Sequence, residues 1–191
     1  MFERHRLPVP ERDRTVIHGE DEVTLINTIR LNINQIPYEL DVGEKPGQVA
    51  PWHTLVHTIR ETLGMTGTKA SCGQAACGAC TVIMDGKAVL SCCILTVECS
   101  GKNIVTIEGL RNPETGELNP IQAAFIEHAA FQCGYCTPGI ILTSKVLLDR
   151  NPRPNEGEVL EALSGHFCRC VSHYGVLKAV MAVAESGGSK D

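Results

Sequence analysis

Three features are missing from the sequence, and each absence excludes a class of protein. The chain has 17 basic and 22 acidic residues, a net charge of -5, and no block of lysine or arginine. The charge pattern thus has no electrostatic footprint for nucleic acid or an anionic membrane, and we exclude nucleic-acid binding. No apolar run approaches the roughly 20 residues that span a bilayer. Residues 1–23 are polar and lack the apolar core of a signal peptide, so we expect a cytoplasmic protein.

Cysteine is absent from the first 71 residues and abundant afterwards. The ten cysteines are Cys72, Cys77, Cys80, Cys92, Cys93, Cys99, Cys133, Cys136, Cys168 and Cys170. In a chain without an export signal, a disulfide framework is not expected, because cytosolic thiols are kept reduced. Such a pattern usually indicates metal binding or catalysis.

The first half of the chain predicts a small mixed sheet with one helix. Alternating apolar residues over 25–33 and an apolar-rich run over 36–42 indicate a hairpin. Apolar residues recur at helical spacing over 55–63, after a loop rich in glycine and proline. Asp85-Gly86 lies between two short apolar runs, 81–84 and 87–90, which is a strong hairpin signal, and 103–107 supplies one more strand. We assign residues 1–23 to an N-terminal tail and 24–108 to this unit.

The second half predicts a helical unit. Residues 109–119 are rich in Asn, Pro, Glu, Thr and Gly, which indicates a linker. Four helical stretches follow in residues 120–186, namely 120–131, 138–150, 156–163 and 173–184, and 187–191 form a C-terminal tail. Thr137, directly before Pro138, and Asn155, three residues before Glu158, are predicted to cap the starts of the second and third helices. The fold class is therefore α+β, with the sheet unit first and four helices second.

The first cysteine group has the spacing of a plant-type 2Fe-2S site. Cys72, Cys77 and Cys80 form C-x4-C-x2-C, and Cys92 would arrive from the far strand of the Asp85-Gly86 hairpin. The small residues of this loop let backbone N–H groups approach the sulfurs of a negatively charged cluster. A structural zinc site is the alternative, although zinc usually has two separated C-x2-C pairs. Because side chains alternate along a strand, we choose Cys92 over Cys93 as the ligand.

The remaining two cysteines of this region, Cys93 and Cys99, are interpreted as small buried hydrophobic residues. In the second group, Cys133 and Cys136 open the second helix, and Cys168 and Cys170 lie between the third and fourth. Four thiolates would thus meet at one end of the helices. Zinc binding and a redox-active C-x2-C are the alternatives, but the second leaves Cys168 and Cys170 unexplained.

Five short motifs together resemble the iron-sulfur subunit of the xanthine oxidase family of molybdenum hydroxylases. They are Gly67-Thr-Lys69, Cys72-x4-Cys77-Gly-Ala-Cys80-Thr, Ser91-Cys92, Gln132-Cys-Gly-Tyr-Cys-Thr-Pro-Gly139 and Cys168-Arg-Cys170. The resemblance covers approximately residues 25–183. It implies a plant-type ferredoxin-like (β-grasp) domain followed by an all-α four-helix 2Fe-2S-binding domain. The eight ligands would be Cys72, Cys77, Cys80, Cys92, Cys133, Cys136, Cys168 and Cys170.

The resemblance also implies a place within a larger complex. A large subunit would hold the molybdopterin cofactor, and in many complexes a third subunit binds FAD. The helical domain's cluster would be the one nearer to molybdenum, and the other would relay electrons to flavin or an external acceptor. Gln132 would hydrogen-bond the pterin at the subunit interface, and Cys170 would lie between cluster and pterin.

Two departures from the family pattern bear on the sites. Ala75 stands where glycine is common, and residues 165–173 carry His166 and His173, which flank the second cysteine pair. These histidines could tune the second cluster by hydrogen bonding or by titrating near neutral pH. Two alternative functions stay open at this point: a freely diffusing two-cluster ferredoxin, and a zinc-stabilised interaction module without a redox role.

Overall fold

The computed structural model describes residues 28–170 and 173–187, and its first half is a five-stranded mixed sheet. The strands are β1 (Thr28–Ile33), β2 (Ile36–Asp41), β3 (Thr81–Met84), β4 (Lys87–Leu90) and β5 (Asn103–Val105), in the order β2-β1-β5-β3-β4. β1 runs parallel to β5, and the other neighbouring pairs are antiparallel. The predicted tail 1–23 and the first predicted strand residues, 24–27, lie outside the described residues.

Both predicted hairpins are confirmed. The turns at Asn34-Gln35 and Asp85-Gly86 have positive φ at both central residues, as tight two-residue hairpins require. Ile29, Leu31 and Ile33 are buried on one face of β1, so the alternation of apolar residues does report the buried face. A short α1 (Leu55–His57) continues into a π-helical turn (Thr58–Thr62), and its Leu55 and Ile59 cover the sheet core.

The described residues of the second half form four helices, α2 (Pro120–Glu127), α3 (Thr137–Arg150), α4 (Glu156–Leu163) and α5 (His173–Glu185). Helix α2 ends four residues before the predicted limit, because His128 and Ala129 leave the helical conformation. Asn155 forms the predicted capping box with Glu158 at the start of α4. Thr137 does not cap α3, however, because the cap position belongs to Cys136 and Thr137 is the first helical residue.

The sheet and the helices are in direct contact. Helix α3 packs against β3 and β4, and its Ile140, Ile141 and Leu148 belong to a core shared with α2, α4 and α5. The sheet has its own core on the face covered by α1. Among the described residues, no helix has the length and apolar character needed to cross a membrane.

Candidate metal centres

The first thiolate group lies where the loop before β3 meets the end of β4. Cys72 and Cys77 are on that loop and half-buried, whereas Cys80, directly before β3, is buried. Cys92 is buried in a 3-10 turn, Ser91–Cys93, which follows β4. The antiparallel pairing of Thr81 with Leu90 brings the two ends together. The four predicted cysteines of this group are therefore neighbours in the fold.

Their sulfurs interact with one another, and the sulfur of Cys92 also lies 3.7 Å from that of the neighbouring Cys93. The thiol of Cys72 interacts with that of Cys77, and the thiol of Cys80 interacts with that of Cys92. Burial is the main reason why the pKa of Cys80 is raised to about 11. Cys72 and Cys77, the outer pair, are half-buried, whereas Cys80 and Cys92, the inner pair, are buried. One iron of a cluster held here would therefore lie nearer to the surface than the other.

Backbone amides of the loop point at the outer pair. Hydrogen bonds from the N–H groups of Gln74 and Ala76 lower the pKa of Cys72 to about 7, and the Ala76 nitrogen lies 3.4 Å from its sulfur. Ala75, between these two donors, has a φ of 56°. This left-handed conformation favours glycine, which is the residue that the family pattern commonly has there. The loop therefore favours a negative charge on sulfur, as its small residues predict.

We expect Cys72 to be the first thiol alkylated in the cluster-free chain. Its lowered pKa means that the reactive thiolate predominates above about pH 7 and disappears below it, so the rate should rise through that pH. Cys93 is exposed, whereas Cys72 is half-buried, but the pKa of Cys93 is raised by a hydrogen bond with the Cys92 thiol, so Cys93 should react more slowly. Peptide mass spectrometry after brief iodoacetamide treatment from pH 6 to 8.5 would measure both. Equal rates for the two cysteines across this range would contradict the prediction.

The predictions for the two spare cysteines have different outcomes. Cys99 is fully buried in the sheet core, as expected. The prediction that Cys93 is buried is wrong, because its side chain is exposed. Residues 91–93 form a 3-10 turn instead of continuing the strand, so Cys92 and Cys93 do not alternate across a sheet. Their sulfurs lie 3.7 Å apart.

The second thiolate group lies at one end of the helices. Cys133 and Cys136 precede α3, and Cys168 and Cys170 follow α4, so the helical core holds two distant segments side by side. The sulfurs of Cys133 and Cys170 are 3.7 Å apart, and the thiol of Cys136 interacts with that of Cys168.

One pair of this second group is exposed and the other is largely enclosed. Cys133 and Cys170 are exposed, whereas Cys136 is buried and Cys168 half-buried. Burial, followed by the neighbouring Cys168, raises the pKa of Cys136 to about 12. This thiol keeps its proton until a metal displaces it. Gln132, beside Cys133, is also exposed, so the predicted interface residues Gln132 and Cys170 share the open side of the site.

Two hydrogen bonds join the thiolate groups to each other. The Phe167 N–H donates to the carbonyl oxygen of Cys77 at 3.1 Å, and the Tyr135 hydroxyl donates to that of Ala70 at 2.6 Å. Each bond links the loop of the first group to a segment of the second. Spacing along the chain gives no sign of these contacts, because the partners are 65 or more residues apart.

His166 lies at this junction and differs from its prediction. Its side chain is 6% exposed, its Nε2 lies 2.8 Å from the Thr143 hydroxyl, and its Nδ1 is buried without a hydrogen-bond partner. Burial, and secondarily His173, lowers its pKa to about 4. The expectation that His166 titrates near neutral pH is therefore wrong, since the ring is neutral throughout that range. His173, at the start of α5, is exposed.

The donor sets fit 2Fe-2S clusters. Each group offers four sulfurs, and such a cluster takes four cysteine thiolates. Two pairs of thiols interact in each group: Cys72 with Cys77 and Cys80 with Cys92 in the first, and Cys133 with Cys170 and Cys136 with Cys168 in the second. When two thiolate sulfurs each lie about 2.3 Å from the same tetrahedral metal, the sulfurs are about 3.8 Å from each other. The sulfurs of Cys133 and Cys170 are separated by a similar distance, 3.7 Å.

An α+β chain with two thiolate groups of this kind defines an iron-sulfur protein, and comparison with known proteins agrees. The family model described as "2Fe-2S binding domain" matches residues 106–181. The small FeS subunit of nicotinate dehydrogenase from Eubacterium barkeri is 42% identical over 159 residues, 83% of this chain and 95% of that subunit. The small subunit of nicotine 6-hydroxylase from Paenarthrobacter nicotinovorans is 39% identical, over 82% of this chain and 93% of its own length.

A solved structure shows the same fold. Quinoline 2-oxidoreductase from Pseudomonas putida 86 contains a chain that superposes with a TM-score of 0.76 at 39% identity, covering 84% of this protein and 94% of that chain. The protein belongs to the family of iron-sulfur subunits of the xanthine oxidase-type molybdenum hydroxylases and dehydrogenases. Members of this family are the non-catalytic, electron-transferring subunits of oxidoreductase complexes. This membership favours a subunit of a complex over a freely diffusing ferredoxin.

Proposed function

We propose that this chain carries two 2Fe-2S clusters and relays electrons between a molybdopterin-binding subunit and an outside acceptor. The first cluster would be held by Cys72, Cys77, Cys80 and Cys92, and the second by Cys133, Cys136, Cys168 and Cys170. The observation that carries this proposal is that the fold brings four cysteines together at each of two places, the start of β3 with the end of β4, and the start of α3 with the segment after α4. Bound clusters would supply one-electron carriers, which a two-electron hydroxylation or dehydrogenation needs in order to release electrons singly.

The pairing also suggests which thiolates share an iron. In the first site, Cys72 and Cys77 would hold the outer iron, and Cys80 and Cys92 the inner one. In the second, Cys133 and Cys170 would hold the exposed iron, and Cys136 and Cys168 the enclosed one. The Phe167 N–H donates a hydrogen bond to the Cys77 carbonyl oxygen, and Phe167 is adjacent in sequence to Cys168. The ligands of the two sites are therefore joined by a short path of covalent bonds and this one hydrogen bond.

We propose that each cluster lies in a domain of its own. Residues 24–108 would form a plant-type ferredoxin-like (β-grasp) domain, 109–119 a linker, and 120–186 an all-α four-helix 2Fe-2S domain. The five-stranded mixed sheet and the separate helical core support this division. The tails would be 1–23 and 187–191.

The exposed side of the second site is the proposed contact with the large subunit. Gln132 and Cys170 would face the pterin, and Cys133 is exposed beside them. An apolar cavity of about 260 Å³ adjoins this side, and its lining includes Leu118, Ile126 and Phe131, whose side chains are 47%, 58% and 39% exposed. Exposed apolar side chains around a depression are typical of a protein interface. A third, FAD-binding subunit would take electrons from the first site, and the complex would be cytoplasmic.

The decisive experiment is metal analysis of the anaerobically purified chain, followed by electron paramagnetic resonance of the reduced sample. We expect about four irons and four acid-labile sulfides per chain and two distinguishable signals. Tagged chain should also co-purify a large molybdenum-containing partner from its native cells. Zinc without sulfide would overturn the proposal in favour of an interaction module, and two clusters without any partner would favour a free ferredoxin.

The partner contact can be tested separately with Ile126→Asp. This side chain is exposed, so a carboxylate there leaves the fold intact but places an unpaired charge in an apolar interface. We expect at least a tenfold loss of large-subunit binding, measured by titration of the two purified subunits. Ile36→Asp is the control, because Ile36 is 54% exposed at the start of β2 in the sheet unit. Equal binding by both variants would place the interface elsewhere.

A further inference from the structure

A fifth thiol lies at the first site, and the four-ligand assignment leaves it without a role. Cys92 and Cys93 are consecutive residues of the 3-10 turn Ser91–Cys93. This turn brings their sulfurs to 3.7 Å, although neighbouring side chains on a strand would point apart. The thiol of Cys92 therefore has two sulfur neighbours, Cys80 on the buried side and Cys93 on the exposed side.

The separation of the two sulfurs is that of ligands on one metal. Two thiolates about 2.3 Å from a tetrahedral metal are about 3.8 Å apart. Within this chain, Cys133 and Cys170, which would share an iron of the second cluster, are 3.7 Å apart, and Cys92 and Cys93 have the same spacing. A metal position bonded to Cys92 is therefore within reach of Cys93 with little more than a side-chain rotation.

The surroundings of Cys93 agree with this distance. A hydrogen bond with the Cys92 thiol is the main cause of its raised pKa, and the charge of Cys72 contributes least, so Cys93 is within electrostatic range of both cysteines. Cys92 is 8% exposed and packs with Cys80 and Val56, whereas Cys93 is exposed. The remaining cysteine of this region, Cys99, belongs to the sheet core instead and interacts with the Leu95 carbonyl.

We propose that Cys93 is an alternative iron ligand of the first cluster, able to replace Cys92 on the iron that Cys80 also binds. The inference rests on the proposed function, since it requires a cluster at this site. In the exchange, the bond from iron to the Cys92 sulfur breaks and a bond to the Cys93 sulfur forms. Cys93 gives up its thiol proton and Cys92 takes one, so no oxidant or reductant is consumed. The exchange would move one ligand from the buried to the exposed side of the inner iron.

The test compares three variants of the full-length chain, purified anaerobically: Cys92→Ala, Cys92→Ala/Cys93→Ala, and Cys92→Ala/Cys99→Ala. We expect Cys92→Ala to keep about four irons per chain, with a shifted paramagnetic resonance signal for the first cluster. Removing Cys93 as well should lower iron to about two per chain, with the signal of the second cluster unchanged. Removing Cys99 in its place should leave the iron content as in Cys92→Ala, because Cys99 is buried elsewhere. Loss of the first cluster from Cys92→Ala itself, down to the iron content of the Cys92→Ala/Cys93→Ala variant, would overturn the inference.

A second measurement covers the case in which alanine destabilises the turn. Cys92→Val keeps an apolar side chain against Val56 and Leu90 but offers no ligand. In that variant, Cys93 should resist iodoacetamide until iron is removed with a chelator, whereas Cys93 of the unaltered protein should react with the clusters in place. Cys93 that reacts equally in both proteins would show that it never binds iron.

Failure of this inference differs from failure of the proposed function. If the unaltered chain lacks iron and sulfide, the proposed function is wrong. If the unaltered chain holds both clusters but every Cys92 variant loses the first, only the ligand exchange is wrong.

Discussion

Replacing Cys136 with alanine should remove the second cluster, lowering the iron content from about four to about two per chain. Cys136 is 7% exposed and lies at the cap position of α3, where its thiol meets that of Cys168. Without it, the enclosed iron would keep a single protein thiolate, that of Cys168. One of the two paramagnetic resonance signals should disappear, while the signal of the first cluster stays.

The control for this substitution is Cys99→Ala. Like Cys136, Cys99 is buried, and burial raises its pKa. It belongs to the sheet core, however, and to neither group of sulfurs. This variant should keep about four irons and both signals. If Cys136→Ala retains the iron content of Cys99→Ala, the assignment of the second site is wrong. If Cys99→Ala loses iron instead, the first site needs a different ligand set.

Gly139→Ala should destabilise the contact between the sheet unit and the helical unit. A β-carbon on Gly139 would overlap the carbonyl oxygen of Gly78, which lies in the cysteine loop of the first site. Backbone cannot swing aside as a flexible side chain can, so the loop and the helix must separate. Overpacking of this kind typically costs about 1–3 kcal/mol. Chemical denaturation of the loaded protein should show this loss, and the splitting caused by magnetic interaction between the two reduced clusters should change.

Gly175→Ala is the matched control, because Gly139 and Gly175 are each the third residue of a helix. The atom nearest to a β-carbon on Gly175 would be the Ala130 α-carbon at 3.6 Å, an ordinary contact. Alanine is also the better helix former, so this variant should be as stable as the unaltered protein or slightly more so. A denaturation midpoint for Gly139→Ala that matches that of Gly175→Ala would mean that the loop and α3 are not held together at Gly78.

The junction around Gly78 has a second steric requirement. Gly78 has a φ of 76°, and a β-carbon there would overlap the His166 ring. One glycine thus permits both the left-handed backbone of the cysteine loop and the close approach of an imidazole from the helical unit. The neutral His166 fills this space, and its Nε2 is fixed by Thr143. Its place in the fold is consistent with a packing role at the junction, where burial lowers its pKa to about 4.

The sequence by itself singled out the cysteines and predicted most of the elements. Thiol groups at C-x4-C-x2-C and C-x2-C spacing are local, so the proposed ligands can be named without knowing how the chain folds. The hairpins at Asn34-Gln35 and Asp85-Gly86 and the capping box at Asn155 are likewise local, because turn and cap preferences depend on residues a few positions apart. Both turns and the capping box are present as predicted.

Only the tertiary structure decided how the cysteines pair and which of them face solvent. Cys133 meets Cys170 across 37 residues, and this pairing depends on how the helices pack and not on spacing. The exposure of Cys93 follows from a 3-10 turn that strand alternation did not predict. The burial of His166 against the loop of the first site depends on two segments that meet only in the folded chain. Local preferences fix which groups are available, whereas long-range packing decides their neighbours, their solvent exposure and hence their pKa.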